Sequence, residues 1–84
     1  MYDILSPPQC RAARALLGWP QDKLAEASAI SKPTVAAFEG GKRQVSDKSL
    51  FAIRKAFEEA GIAFIAENGL SIAGGGGVRF ADPN

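Results

Sequence analysis

The chain has no histidine and a single cysteine, Cys10. One thiol allows neither an intramolecular disulfide nor a cysteine-cluster metal site. Without histidine, the commonest general base and metal ligand is missing, and no nucleophile sits in an activating arrangement. An enzymatic role therefore has little support, and no cofactor or metal is expected. No apolar run approaches the ~20 residues needed to cross a membrane. The opening Met-Tyr-Asp-Ile-Leu-Ser-Pro-Pro lacks a basic stretch followed by an apolar segment. No membrane partner is expected, and the expected location is the cytoplasm.

What is present suits one small core, since 84 residues with 46% apolar content leave room for a single domain. The formal charge of +1 conceals an uneven distribution. Residues 1 to 55 hold nine Lys/Arg against five acids, a net +4, while the remainder holds Arg79 against four acids, a net −3. A basic body with an acidic end fits a phosphate-binding unit followed by a separate association element. The expected division is a DNA-binding domain over 1–61 and a β extension over 62–84.

Helix boundaries are well marked. Ser6-Pro7-Pro8-Gln9 reads as an N-cap, prolines in the first turn and a capping-box glutamine. This first helix runs to about Leu17, with Cys10, Ala13 and Leu17 on its apolar face and Gly18 ending it. A second short helix, about Gln21 to Ser28, follows Trp19-Pro20 and buries Leu24 and Ala25. Ala29-Ile30 makes the turn. Ser31 caps a third helix, Lys32 to Glu39, in which Pro33 costs no intrahelical bond. Gly40-Gly41 stops it. Ser46 caps a fourth helix whose buried stripe is Leu50, Ile53, Phe57 and Ala60, ending at Gly61. Of the remaining cations, Lys23, Lys48, Arg54 and Lys55 read as solvated surface, with Arg54–Glu58 and Lys55–Glu59 placed for local pairs.

Beyond Gly61 the period changes. Ile62-Ala63-Phe64-Ile65 and Val78-Arg79-Phe80 read as short strands, separated by a stretch that ends in four glycines, Gly74 to Gly77. Two pairings are open. Asn68-Gly69 suits a tight hairpin joining 62–67 to 70–73. The favoured alternative is a longer loop that pairs the first strand with 78–80, because consecutive glycines continue a strand poorly.

Residues 21 to 39 thus place two short helices around a three-residue turn, with the small Ala25 where the helices approach and Leu24, Ile30, Val35 and Phe38 facing inward. That is helix-turn-helix spacing. Over about residues 9 to 60 the chain resembles the phage-repressor and Cro-like (XRE-like) family. The stretches Gly18-Trp19-Pro20-Gln21-Asp22-Lys23-Leu24-Ala25-Glu26-Ala27 and Ser31-Lys32-Pro33-Thr34-Val35-Ala36-Ala37-Phe38-Glu39 carry the likeness. The resemblance implies a mainly α fold, a four- to five-helix lambda-repressor-like bundle, closed here by a short β-hairpin or strand pair. It also implies a transcriptional regulator, most simply a repressor, that binds double-stranded DNA as a homodimer.

Carried over residue by residue, the resemblance makes Gln21 and Ser31, with Lys42 and Arg43 past the third helix, contacts to the DNA backbone. Lys32, Pro33, Thr34, Ala36 and Ala37 become the surface offered to base edges, and Arg14 with Glu39 an ion pair locking the first and third helices. The sequence departs from the family at Ala29, where glycine is usual, and at Pro20, where serine or threonine is usual. It departs again at Ala36 and Ala37, where long polar side chains are common. Ala29 implies a strained left-handed backbone or a different turn. The two alanines suit thymine methyl groups, and few side chains nearby can form bidentate hydrogen bonds, which shifts the weight of specificity toward DNA shape.

For association, Ile62, Phe64, Val78 and Phe80 form an apolar extension that needs a surface to pack on, and Phe51 lies off the buried stripe of the fourth helix. These five are the candidate dimerisation residues. A different class of function uses the same shape: an interaction module, such as an antitoxin or antiactivator, acting on another regulatory protein. The alanine-rich third helix motivates it.

Overall fold

The computed structural model describes residues 4–42, 44–65 and 77–81. Four helices are followed by two strands: α1 (Pro7–Leu17), α2 (Gln21–Ser28), α3 (Lys32–Glu39), α4 (Asp47–Glu59), β1 (Ile62–Ile65) and β2 (Gly77–Phe80). The caps read from the sequence set these bounds. Ser6 Oγ accepts from the Gln9 backbone N–H at 3.3 Å, and Gln9 Oε1 accepts from the Ser6 N–H at 3.0 Å, a complete capping box. Ser31 and Ser46 cap α3 and α4 in the same way, accepting from the N–H of Thr34 and Ser49. Gly18 ends α1 at φ 68°.

The turn between α2 and α3 is built without glycine. Ala29 adopts φ 60° and ψ 27°, a left-handed conformation. That conformation costs a residue with a Cβ about 1–2 kcal/mol. Buried Ser28 compensates locally: its hydroxyl donates to the Leu24 carbonyl at 2.7 Å and accepts from the Ile30 N–H at 3.3 Å. The peptide leaving the turn is thereby satisfied within the motif.

Leu24, Val35, Phe38, Ile53 and Phe57 come together with Cys10 and Ala13 to form one core. Phe57 is fully buried between Trp19, whose ring centroid is 5.9 Å away, and Phe64, at 6.1 Å. Burying a side chain of this size contributes roughly 1.5–3 kcal/mol. On α4 the stripe differs slightly from expectation: Ala56 is buried, while Leu50 and Ala60 are half-buried. Ile4 and Leu5, ahead of α1, join the same core.

β1 pairs antiparallel with β2 in the register Ile62↔Phe80, Ala63↔Arg79, Phe64↔Val78 and Ile65↔Gly77. This is the longer-loop alternative. Asn68-Gly69 and 70–73, which the tight-hairpin alternative used, lie outside the described residues. Because directly opposed residues share a face, Ile62, Phe64, Val78 and Phe80 all fall on one side of the ribbon.

That side packs on the protomer's own helices, which corrects part of the association surface expected above. Ile62 is 2% exposed and belongs to the core, and Phe64 and Val78 pack against it. Phe80, at the end of the same face, stays 53% exposed. Among the described residues, Phe51 (55%), Phe80 and Leu16 (39%) are the large apolar side chains left at the outside.

Arg54 ties the segment ahead of α1 and strand β1 to α4. Its Nη1 donates to the Ile4 carbonyl at 2.8 Å, its Nε to Glu58 Oε2 at 3.1 Å, and its guanidinium lies 4.9 Å from the centre of the Phe64 ring. It is thus a half-buried bracket and not simply a solvated cation. Lys55 and Glu59, also spaced for a pair, form none. Among the described residues, no helix is long and apolar enough to cross a membrane.

Candidate nucleic-acid interface

α3 buries Val35 and Phe38 and turns its opposite face outward. Lys32, Pro33 and Ala36 are exposed, and Thr34 and Ala37 half-buried. Positions 32, 33, 36 and 37 share one side of a helix with 3.6 residues per turn. The surface they make is low in profile because it carries two methyl groups and one proline ring. Ser31 is exposed at the head of this helix, where its hydroxyl also donates to Thr34 Oγ1 at 2.8 Å. The Thr34 hydroxyl is therefore engaged within the first turn.

Behind that surface sits a polar cluster centred on Glu39, which is 3% exposed. Arg14 approaches side-on, with Nε 2.7 Å from Oε2 and Nη2 2.8 Å from Oε1. Cys10 Sγ donates to Oε2 at 2.9 Å, and Gln21 Nε2 donates to Oε1 at 3.0 Å. Four donors thus meet the two carboxylate oxygens, which is their full acceptor capacity. Arg14 Nη1 also donates to the Trp19 carbonyl at 3.0 Å, and Arg11 Nη1 donates to the Glu39 carbonyl at 2.5 Å. A cation from α1 therefore rests on the carbonyl end of α3, where the helix dipole favours it.

The charges respond to this setting. Burial alone works against ionisation of Glu39, but the hydrogen bonds from Arg14, Cys10 and Gln21 and the charge of Arg14 outweigh it, so the carboxyl titrates below the usual range. The bond to Glu39 raises the Arg14 guanidinium above its ordinary value, against the effect of burial. Burial first, then the bond and charge of Glu39, push the Cys10 thiol well above the usual thiol range.

Gln21 is the first residue of α2 and is half-buried. Since a carboxylate can only accept, the amide nitrogen must face Glu39. Its carbonyl and second N–H are thereby directed away from the cluster. Lys42 is exposed just beyond α3, past Gly41 at φ 69°, while Arg43 lies outside the described residues. At the other end of α3, Lys32 Nζ lies 2.8 Å from Asp22 Oδ1 on α2.

The structure thus brings Arg14, Glu39 and Gln21 into direct contact and places Lys32, Pro33 and Ala36 on the free face of α3. Sequence reasoning missed Arg11, Asp22 and the hydrogen-bonding role of Cys10. A signal for Arg11 did exist, because it lies three residues before Arg14 and shares its side of α1.

Two short helices across a tight turn, with the second braced from behind and bare in front, define a helix-turn-helix unit. The helix-turn-helix family model matches residues 11–60, which is more than half of the chain. The chain belongs to the XRE-type helix-turn-helix family, whose members are DNA-binding regulators. No curated protein matches it.

Proposed function

We propose that this protein is a sequence-specific transcriptional repressor that binds an inverted-repeat operator as a homodimer. The observation that carries the reading is the outward face of α3, Lys32, Pro33, Thr34, Ala36 and Ala37, held rigid by the Glu39 cluster behind it. Inserted in a major groove, this low surface brings backbone and methyl groups close to base edges. Gln21, Ser31 and Lys42 flank it and, together with Arg43, act on phosphates, fixing register without reading sequence. Repression by occupancy, in which the bound protein excludes others from the operator, is the simplest action for such a domain.

Association is proposed to use Phe51 and Phe80, the large apolar side chains left exposed on α4 and β2. Two copies would present their α3 helices about 34 Å apart, so half-sites should be centred about 10 base pairs apart or a multiple of it. Selection from a randomised duplex library tests the reading. An enriched inverted repeat, bound in a salt-dependent manner, is the expected result. No enrichment together with stoichiometric co-purification of a protein would favour the interaction module instead.

A further inference from the structure

We propose that Asp22 tempers the protein's affinity for DNA by holding the ammonium of Lys32, an inference that rests on α3 being the DNA-facing helix. Asp22 is the second residue of α2 and Lys32 the first of α3, and their 2.8 Å contact joins the heads of the two helices of the motif. Their side chains are 71% and 57% exposed, so the pair adds little to the fold. Its effect falls on the charge that α3 offers to a ligand.

That charge is lower than the count of lysines suggests. Lys23 is likewise matched, with Glu26 at 3.8 Å and the Trp19 ring 5.8 Å from its ammonium. Arg14 is consumed by Glu39. Among the described residues flanking α3, Lys42 and Arg11 have no ion pair with an acidic side chain, Arg11 resting on the Glu39 carbonyl. On the outward face of α3 itself, the charge of Lys32 is matched by Asp22.

Nonspecific affinity comes almost wholly from cations that neutralise phosphates and release counterions. A Lys32 held by Asp22 contributes less to it, because the pair must be given up before the ammonium reaches a phosphate. At a matching site guanine O6 and N7 offer Lys32 directional acceptors, and the pair with Asp22 is given up in full to reach them. Asp22 thus lowers binding to matched DNA by the strength of the pair and binding to random DNA by no more than that.

The test compares wild type, Asp22→Asn, Lys32→Ala and the double variant on a random-sequence duplex and on the library-selected duplex, each over a salt series. Asp22→Asn should tighten binding to the selected duplex about three- to fivefold, near the upper end for an exposed ion pair, and binding to the random duplex by no more than that. With Lys32→Ala already present, Asp22→Asn should change affinity for the selected duplex by less than about twofold, because the two effects are coupled. An equal gain in both backgrounds would show a plain charge effect and overturn the proposal, as would no gain at all in the wild-type background. Wild-type protein that binds neither duplex would overturn the DNA reading itself.

Discussion

Arg14 on α1 meets Glu39 at the end of α3 through two nearly parallel hydrogen bonds, at 2.7 and 2.8 Å, and the two partners are unequally buried: the Arg14 side chain is 20% exposed and that of Glu39 3%. The pair is therefore asymmetric in what its loss leaves behind. Arg14→Ala strands a buried carboxylate and should cost about 3 kcal/mol or more, whereas Glu39→Ala leaves a guanidinium that still reaches water and the Trp19 carbonyl, and should cost about 2 kcal/mol. Thermal or urea melts of both variants within about 0.5 kcal/mol of wild type, the range of an ordinary surface site, would show the pair to be ornamental.

The same carboxylate makes stability depend on acid. Its folded pKa lies below the unfolded one, so its contribution is fully present above about pH 4.3, the ordinary glutamate value, and is lost as pH falls through the lowered folded value. The melting temperature of wild type should therefore fall on acidification below that point. Glu39→Gln, less stable at neutral pH, should show a flatter profile in the same window. Parallel profiles for the two proteins would place the acid sensitivity elsewhere.

At Ala29 the expected change is a gain. Glycine removes the left-handed penalty of about 1–2 kcal/mol but adds about 0.4–1 kcal/mol of unfolded-chain entropy. The net for Ala29→Gly is a stabilisation of roughly 0.5–1 kcal/mol, or ~4 °C in Tm for a domain of this size. Differential scanning calorimetry reads it directly, and a lower Tm would mean that the methyl group has contacts that outweigh the strain.

The C-terminal ribbon should separate folding from association. Ile62→Ala opens a cavity in the protomer core and should cost about 2–5 kcal/mol. Phe51→Ser and Phe80→Ser act on exposed surface, and should leave the melt within about 1 kcal/mol while shifting the protein toward monomer. Light scattering beside urea melts distinguishes the two classes. A monomeric wild type at tens of micromolar would remove the dimer from the proposed mechanism.

On DNA, Lys42→Ala or Arg43→Ala should weaken operator and random duplex alike and flatten the salt slope by about 1. A loss confined to the operator would instead mark the residue as a reader of bases.

How far the sequence carried these conclusions depended on how local each signal was. Caps at Ser6, Ser31 and Ser46 act within one helical turn, and their spacing from the next apolar residue was enough to place three of the four helices, while α2, which has no side-chain cap, was marked by Trp19-Pro20 before it. The glycine run favoured pairing Ile62–Ile65 with 78–80 over the tight hairpin without deciding it, and β2 begins one residue earlier than expected, at Gly77 within that run. Arg14 and Glu39 were legible only through the family likeness, since 25 residues separate them and no period connects them. The burial of Ile62 was not legible, because an apolar strand reads the same whether its own helices or a second copy covers it. Asp22 was passed over for a similar reason: its partner Lys32 is ten residues away on another helix, and only the fold angle between α2 and α3 brings them together.

Cys10 gives the cluster around Glu39 a clock. The thiol has no exposed surface, its proton is held by a carboxylate, and burial keeps it from ionising, so the folded protein should resist alkylation. An electrophile reaches that sulfur only when α1 and α3 part. Labelling rates at a single native cysteine therefore time the opening of the contact that holds α3 in place, with no engineered probe.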